Sequence, residues 1–173
     1  MPRLLLVVVV VVVACAALAG LVLALGARDE SQVAGAPAGP GELQPDRGAA
    51  HDGPAQVPAG ELPTSGTHQP DLVTRDRRRL TDDQIIHALE LGNVVLLYDA
   101  PDPGTALEAV QEEVAGPFDA ELAAAGQAIV LARRTSAGAV TALAWRRMLQ
   151  SPDSADPRVR EFAETWLGAG MRP

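Results

Sequence analysis

The sequence predicts an α+β (or compact α/β) domain, with a small mixed three-stranded sheet flanked by helices, preceded by one N-terminal transmembrane helix. Three observations predict this class. An uninterrupted apolar run opens the chain, a segment rich in Gly, Pro and Ala follows it, and residues 61–173 alternate between helical and strand patterns. With 173 residues, the chain has room for one domain of ordinary size besides the first two segments.

The apolar run extends from Leu4 to Leu25 and contains no charged residue. As a helix it would be about 33 Å long, enough to cross a hydrocarbon core of about 30 Å. Arg3 precedes the run, whereas residues 28–30 follow it without net positive charge. The positive-inside rule therefore predicts a cytoplasmic start at residues 1–3, a single anchor through the lipid bilayer at residues 4–25, and an extracytoplasmic remainder.

Two alternatives for the apolar run stay open. Residues 17–19, Ala-Leu-Ala, have the small-x-small pattern of a signal-peptidase site, and cleavage there would give a secreted protein. Residues 12–15, Val-Val-Ala-Cys, resemble a bacterial lipobox, which would make Cys15 a lipidated first residue. Because Cys15 is the only cysteine of the chain, the exported part has no disulfide and no thiol chemistry.

Residues 26–60 form the predicted linker. The segment is rich in Gly, Pro and Ala, and its only sizeable aliphatic residues are Val33, Leu43 and Val57. It therefore has too little apolar surface to bury, and we expect it to be disordered, with His51 exposed to solvent.

The first helix of the folded domain is predicted over residues 82–91. Thr81 and Gln84 before and within its first turn have the spacing of a capping box, in which each side chain bonds a free backbone N–H of the other residue. Gly92 is a natural terminator, because glycine adopts the left-handed conformation at low cost. The unbroken apolar run over residues 94–98 then predicts a strand that is covered on both faces.

A second helix is predicted from Thr105 and Glu108, which repeat the capping-box spacing, to Gly116-Pro117. Strands over residues 128–132 and 139–144 follow, joined by a predicted hairpin loop.

The last helix is predicted to open at Asp156-Pro157, where aspartate is a good N-cap and proline fits the first helical position. The resulting order is α-β-α-β-β-α, in which the strand–helix–strand unit gives two parallel strands and the third strand is added antiparallel.

Three polar residues are candidates for a site. His87 and Glu90 stand one turn apart on the first helix, on the same side as Asp83, and an i, i+3 His/Glu pair can hold one metal ion between them. His68, in the turn-forming stretch 63–70, could be aimed at the helix as a third ligand. The alternative interpretation is a solvated polar helix face with an Asp83–His87 pair and a turn histidine that faces water.

The same residues carry a resemblance to a family. Ser-Gly-Thr-His at residues 65–68 and DDQIIHALELGNVVLLYD at residues 82–99, followed by VLARR and TALAWRRML, resemble an uncharacterised bacterial family of membrane-anchored exported domains of unknown function. Its motifs are Pro-Pro-Thr-Ser-Gly-Pro-His-Tyr and Val-His-x-Leu-Glu-His-Gly, followed by an apolar strand that ends in Tyr. The resemblance covers residues 56–170. It implies that His68, His87 and Glu90 belong to a polar cluster, which we interpret as a candidate metal site.

The chain departs from the family pattern at two positions. Leu91 stands where the family has the second histidine of its Glu-His-Gly, and Gln56 stands where it has the histidine of a His-Val-Pro-x-Gly stretch. His68, His87 and Glu90 alone would leave three ligands from two segments. On this basis we expect any ancestral metal site to be weakened or lost.

The predicted function is that of a non-catalytic, extracytoplasmic binding or interaction module with no cofactor and with an envelope ligand that the sequence does not identify. The alternative is a copper- or zinc-binding envelope protein that uses His68, His87 and Glu90. No nucleophile-elbow motif surrounds Ser65 and no other catalytic constellation stands out, so we do not expect an enzyme. The net charge of −8, together with an extracytoplasmic location, argues against nucleic acid as a partner.

Overall fold

A five-stranded mixed sheet lies at the centre of the computed structural model, which describes residues 39–135 and 137–171. The strand order is β1-β5-β4-β2-β3, with β2 and β3 parallel and the other neighbours antiparallel. The strands are β1 (Glu42–Leu43), β2 (Val94–Tyr98), β3 (Ile129–Arg133), β4 (Val140–Ala144) and β5 (Arg147–Ser151). The mixed α+β class is therefore confirmed.

The prediction of a three-stranded sheet is wrong, and so is the prediction that β3 and β4 form a hairpin. Two more strands, β1 and β5, extend the sheet, and β4 pairs with β2 rather than with β3. The strand β2 is buried along its whole length and takes a partner on each side. The outer edge of β3 is not paired with another of the five strands. There the N–H of Arg77 donates to the carbonyl of Leu131, and the side chain of Gln111 donates to the carbonyl of Ile129.

The described residues contain four helices: α1 (Asp82–Leu91), α2 (Gly104–Ala115), α3 (Ala120–Ala124) and α4 (Pro157–Trp166). The helices α1, α2 and α4 pack on the sheet, and the short α3 contacts α1. The capping box of α1 is confirmed, and Gly92 ends the helix in the left-handed conformation with φ +116°. The capping box predicted for α2 is wrong. This helix begins at Gly104, so Thr105 lies inside the first turn and no side chain caps the helix.

The two faces of β2 explain why a strand of five apolar residues is stable here. Alternate side chains of a strand point to opposite faces. Val94, Leu96 and Tyr98 join the core beneath α2 and α4, whereas Val95 and Leu97 join the core beneath α1. The prediction of a strand that is covered on both faces is confirmed, and this packing fixes α1 on the sheet.

Residues 39–60, which we call the strap, lie against the domain, so the prediction of a disordered linker is wrong for them. β1 pairs with β5, the indole N–H of Trp166 donates to the carbonyl of Pro40 at 2.9 Å, and the N–H of Gln44 donates to the carbonyl of Arg146 at 2.9 Å. The strap is held mainly through its backbone, and backbone hydrogen bonding leaves no signature in a Gly- and Pro-rich composition.

The predicted anchor, residues 4–25, lies outside the described residues and stays a prediction. Within residues 39–135 and 137–171, none of the helices has both the length and the apolar character needed to span a membrane.

Candidate metal centre

Four side chains from three segments of the chain meet at one point of the domain. The strap carries His51, the turn after it carries His68, and α1 carries His87 and Glu90. One ligand atom from each of the four lies within 4.8 Å of the others. All three histidines of the chain are therefore collected in a single cluster, which we call the histidine cluster.

The carboxylate of Glu90 is the common neighbour of the three imidazoles. Its Oε2 lies 2.9 Å from His51 Nε2, 3.2 Å from His68 Nε2 and 3.4 Å from His87 Nδ1. The separation between His68 Nε2 and His87 Nδ1 is 3.3 Å. Donor atoms around a tetrahedral zinc ion, with bonds of about 2.0–2.1 Å, lie about 3.3 Å apart. The atoms of His68, His87 and Glu90 thus match one face of such a tetrahedron.

The tautomer of His68 is set by its backbone neighbour. His68 Nδ1 lies 3.0 Å from the carbonyl oxygen of Gly66. A carbonyl can only accept a hydrogen bond, so Nδ1 carries the proton and, in the neutral ring, Nε2 presents a lone pair to the cluster. A carbonyl that orients the far nitrogen of an imidazole is a usual companion of metal-binding histidines.

Burial differs among the four side chains. The side chain of His68 is fully buried, those of His87 and Glu90 are 12% and 13% exposed, and that of His51 is 42% exposed. Burial lowers the pKa of His87 below 6.5, more than the hydrogen bond to Glu90 raises it. The ring of His87 is therefore neutral at pH 7, which is the form that binds a metal ion.

Asp83 ties together the segments that carry the imidazoles. Its Oδ1 accepts hydrogen bonds from the backbone N–H of Ala55 in the strap and of Gln69 in the turn, each at 2.8 Å. Because Asp83 stands one helical turn before His87, this single oxygen fastens both segments to α1 beside the cluster.

A second set of backbone contacts brings His51 next to His68. The N–H of His68 donates to the carbonyl of Ala50 at 2.9 Å, and that of Gly66 donates to the carbonyl of Gly48 at 2.8 Å. The rings of His51 and His68 then meet edge to face, with their centroids 4.7 Å apart.

The end of α1 behind Glu90 is packed by glycine backbone. The N–H of Met171 donates to the carbonyl of Glu90 at 3.0 Å. A Cβ built on Gly170 would lie 2.3 Å from that same carbonyl oxygen, and one built on Gly126 would lie 2.0 Å from the carbonyl oxygen of Leu91. No side chain fits at either position unless the helix end or the segment that carries the glycine moves.

The structure places all three sequence-predicted site residues, His68, His87 and Glu90, in one cluster. The alternative interpretation does not hold for His68, which is buried rather than exposed to water, and Asp83 accepts from backbone N–H groups of the strap and turn. His51 was expected to be exposed, and its side chain is 42% exposed, but sequence reasoning missed its place in the cluster. The available signal was the rarity of histidine, since only three occur in the chain.

Two residues bear on the predicted weakening of the site. Leu91 and Gln56, where the family pattern has histidine, are exposed. The inference of a lost site assumed three ligands from two segments, whereas the cluster has four ligand atoms from three segments. The reason for expecting a weakened site is therefore removed by His51.

A separate polar region lies beside α2. It surrounds a cavity of about 550 Å³ lined by Asp76, Arg77, Glu108, Gln111 and Phe118, among others. Arg77 and Glu108 form an ion pair at 2.6 Å, and Gln111 Nε2 donates to Asp76 Oδ2 at 2.8 Å. None of the histidine-cluster residues lines this cavity.

Comparison with known proteins identifies the family. Residues 59–173 match the family described as "Protein of unknown function (DUF3105)", so the chain belongs to that family. The match includes His68, His87 and Glu90 and begins after His51. No curated protein and no solved structure matches the chain. The resemblance to an uncharacterised family is thereby confirmed.

Proposed function

We propose that this chain, as a member of that family, binds one transition-metal ion, zinc or copper, through His51, His68, His87 and Glu90. The observation that carries the proposal is the convergence of four ligand atoms, from three segments, within 4.8 Å. Such convergence is what a single ion needs, and it does not arise from the local pattern of any one helix or turn.

The donor set favours zinc or copper over other ions. Three imidazole nitrogens and one carboxylate oxygen suit borderline metals such as zinc and divalent copper. Calcium and magnesium prefer shells built from oxygen ligands, which three histidines do not provide. Four protein ligands would fill a tetrahedral shell, which is typical of structural zinc sites rather than of catalytic ones.

A cation also resolves an electrostatic conflict inside the cluster. Because Nδ1 of His68 is committed to the carbonyl of Gly66, its Nε2 faces Glu90 Oε2 at 3.2 Å, lone pair to lone pair in the neutral ring. Nδ1 of His87 approaches the same oxygen at 3.4 Å. A positive charge among these atoms turns mutual repulsion into attraction. A proton could act in this way as well, and a metal ion does so for all four donors together.

The proposal is tested by metal content. The full chain, purified in detergent without a histidine tag and exposed to zinc or to copper, is expected to retain about one ion per chain by elemental analysis. His68→Ala and His87→Gln are each expected to lose it, because each removes one corner of the buried ligand triangle. Glu108→Gln, which removes a carboxylate from the other polar region, is the matched control and should keep the ion.

Thermal unfolding of each variant without metal separates loss of the site from loss of the fold. A wild-type chain that retains no ion would contradict the proposal. It would also be contradicted if the folded His87→Gln variant retained as much metal as Glu108→Gln.

A further inference from the structure

We infer, resting on the proposed metal site, that His51 is the exchangeable ligand. Rotation of its ring away from the cluster opens a fourth position on the ion, and this position accepts a small monodentate donor from another molecule. The donor is an imidazole nitrogen or a small anion. The other three ligands, His68, His87 and Glu90, stay in place as a fixed face.

The first support is the difference in exposure. The side chain of His51 is 42% exposed, whereas those of His68, His87 and Glu90 are between 0% and 13% exposed. An incoming donor can therefore reach the cluster from solvent on the side of His51. The three other ligands, in the turn and on α1, are much less accessible to it.

The second support is that the backbone around His51 is fixed while its side chain, although in contact with Glu90, is partly exposed to solvent. The carbonyl of Ala50 accepts from the N–H of His68, and the N–H of Ala55 donates to Asp83. Release of the ring therefore requires rotation about its own side-chain bonds and no movement of the strap. Rotamer changes of exposed side chains are fast, on the picosecond-to-nanosecond scale once the ligand bond is broken.

The third support is the geometry of the remaining ligands. Oε2 of Glu90, Nε2 of His68 and Nδ1 of His87 form a triangle with edges of 3.2–3.4 Å, already matched to one face of a tetrahedral shell. Three protein ligands with a free fourth position are the arrangement of zinc sites that accept external ligands. A divalent ion with one carboxylate and two neutral imidazoles keeps a net positive charge, which favours an anionic donor as well as an imidazole.

The test uses cobalt as a spectroscopic substitute for zinc in the detergent-solubilised full chain. His51→Ala is expected to bind one cobalt ion with affinity reduced roughly 10- to 100-fold, and its visible spectrum should return toward that of the wild type on addition of imidazole. Azide added to the wild-type chain is expected to change the cobalt spectrum as it displaces His51. His68→Ala, which removes a buried ligand, is expected to lose the ion and to show no recovery with imidazole.

The outcomes separate this inference from the proposed metal site. A wild-type chain that binds no cobalt, zinc or copper would overturn both. Cobalt binding by the wild type with none by a folded His51→Ala variant would overturn only the exchangeable role of His51. The same conclusion would follow if cobalt-loaded His51→Ala did not respond to imidazole, or if azide left the wild-type spectrum unchanged.

Discussion

The two polar regions of the domain differ in how their charges are balanced. Beside α2, the guanidinium of Arg77 pairs with Glu108 at 2.6 Å, and the amide of Gln111 donates to Asp76, so these groups find partners of complementary chemistry within the protein. In the histidine cluster, three imidazoles surround one carboxylate. Oε2 of Glu90 has His51 Nε2 as a hydrogen-bond partner at 2.9 Å, but it also faces His68 Nε2, an acceptor in the neutral ring, at 3.2 Å. The convergence of four ligand atoms, rather than the size of a cavity, is what supports the proposed ion site.

The two regions also differ in their tasks within the fold. Gln111 is almost fully buried, and its Nε2 donates both to Asp76 and to the carbonyl of Ile129 on the outer edge of β3. This contact provides a hydrogen-bond donor for a carbonyl at the edge of the sheet, so the role of Gln111 is structural. Asp83 has a comparable bridging position in the other region, but the segments that it joins carry the candidate metal ligands.

Asp83→Ala is expected to have the largest effect on zinc affinity among the substitutions that test this difference between the two regions. Loss of the two hydrogen bonds to Ala55 and Gln69 should loosen the strap and the turn, and we expect the affinity for zinc to fall roughly 10- to 100-fold. Asp83→Asn keeps an oxygen that can accept both bonds and should retain most of the affinity. Zinc titration against a chromophoric chelator measures both variants, and equal affinity of Asp83→Ala and wild type would refute the positioning role.

A smaller effect, on stability alone, is expected from Gln111→Leu. The substitution keeps the approximate volume of the side chain but leaves the buried carbonyl of Ile129 without its side-chain donor. We expect the free energy of unfolding to fall by about 1–3 kcal/mol, with zinc affinity unchanged. Denaturant unfolding of the metal-free chain measures the first quantity, and Glu112→Gln on the same helix serves as the control. A loss of zinc affinity would show that the two regions are coupled.

The smallest expected effect is the dependence of the free energy of unfolding on pH through His87. Burial and the neighbouring His68 and His51 lower the pKa of His87, against the opposing effect of Glu90, so the folded chain keeps this ring neutral to a lower pH than the unfolded chain does. Below pH 6.5 the unfolded state therefore binds more protons at this position, and the free energy of unfolding of the metal-free chain should fall as pH falls toward the lower, folded-state pKa.

Above that range the ring is neutral in both states and contributes no pH dependence. Unfolding curves of the metal-free chain between pH 5 and pH 8 should show a shallower loss for His87→Gln than for wild type. Gln111→Leu should follow the wild-type slope, and identical slopes for all three chains would contradict the assigned burial effect.

Local patterns predicted the elements that contain their own stabilising contacts. α1 was predicted at its observed bounds because Thr81, Gln84 and Gly92 fix its ends within the segment itself. β2 was predicted because an apolar run of that length has to be buried on both faces.

Elements that depend on distant backbone were not predicted. β1 has two residues and is held by β5, more than 100 positions later in the chain. The only apolar residues of β5, Met148 and Leu149, are adjacent and give no alternating strand pattern. The same reason explains the partial prediction of the site. His87 and Glu90 share a helix face and could be paired from spacing, whereas His51 reaches them through long-range contacts of the strap.

Gly126 and Gly170 pack against the end of α1 that carries Glu90, so the position of Glu90 depends on the absence of side chains there. The backbone of Gly170 lies so close to the carbonyl of Glu90 that an added methyl group would force either the helix end or the segment around residue 170 to move. Because the carboxylate of Glu90 contacts all three imidazoles, a shift of the helix end would alter these three contacts together. Gly170→Ala is therefore expected to disturb the histidine cluster, although residue 170 contributes no donor atom to it.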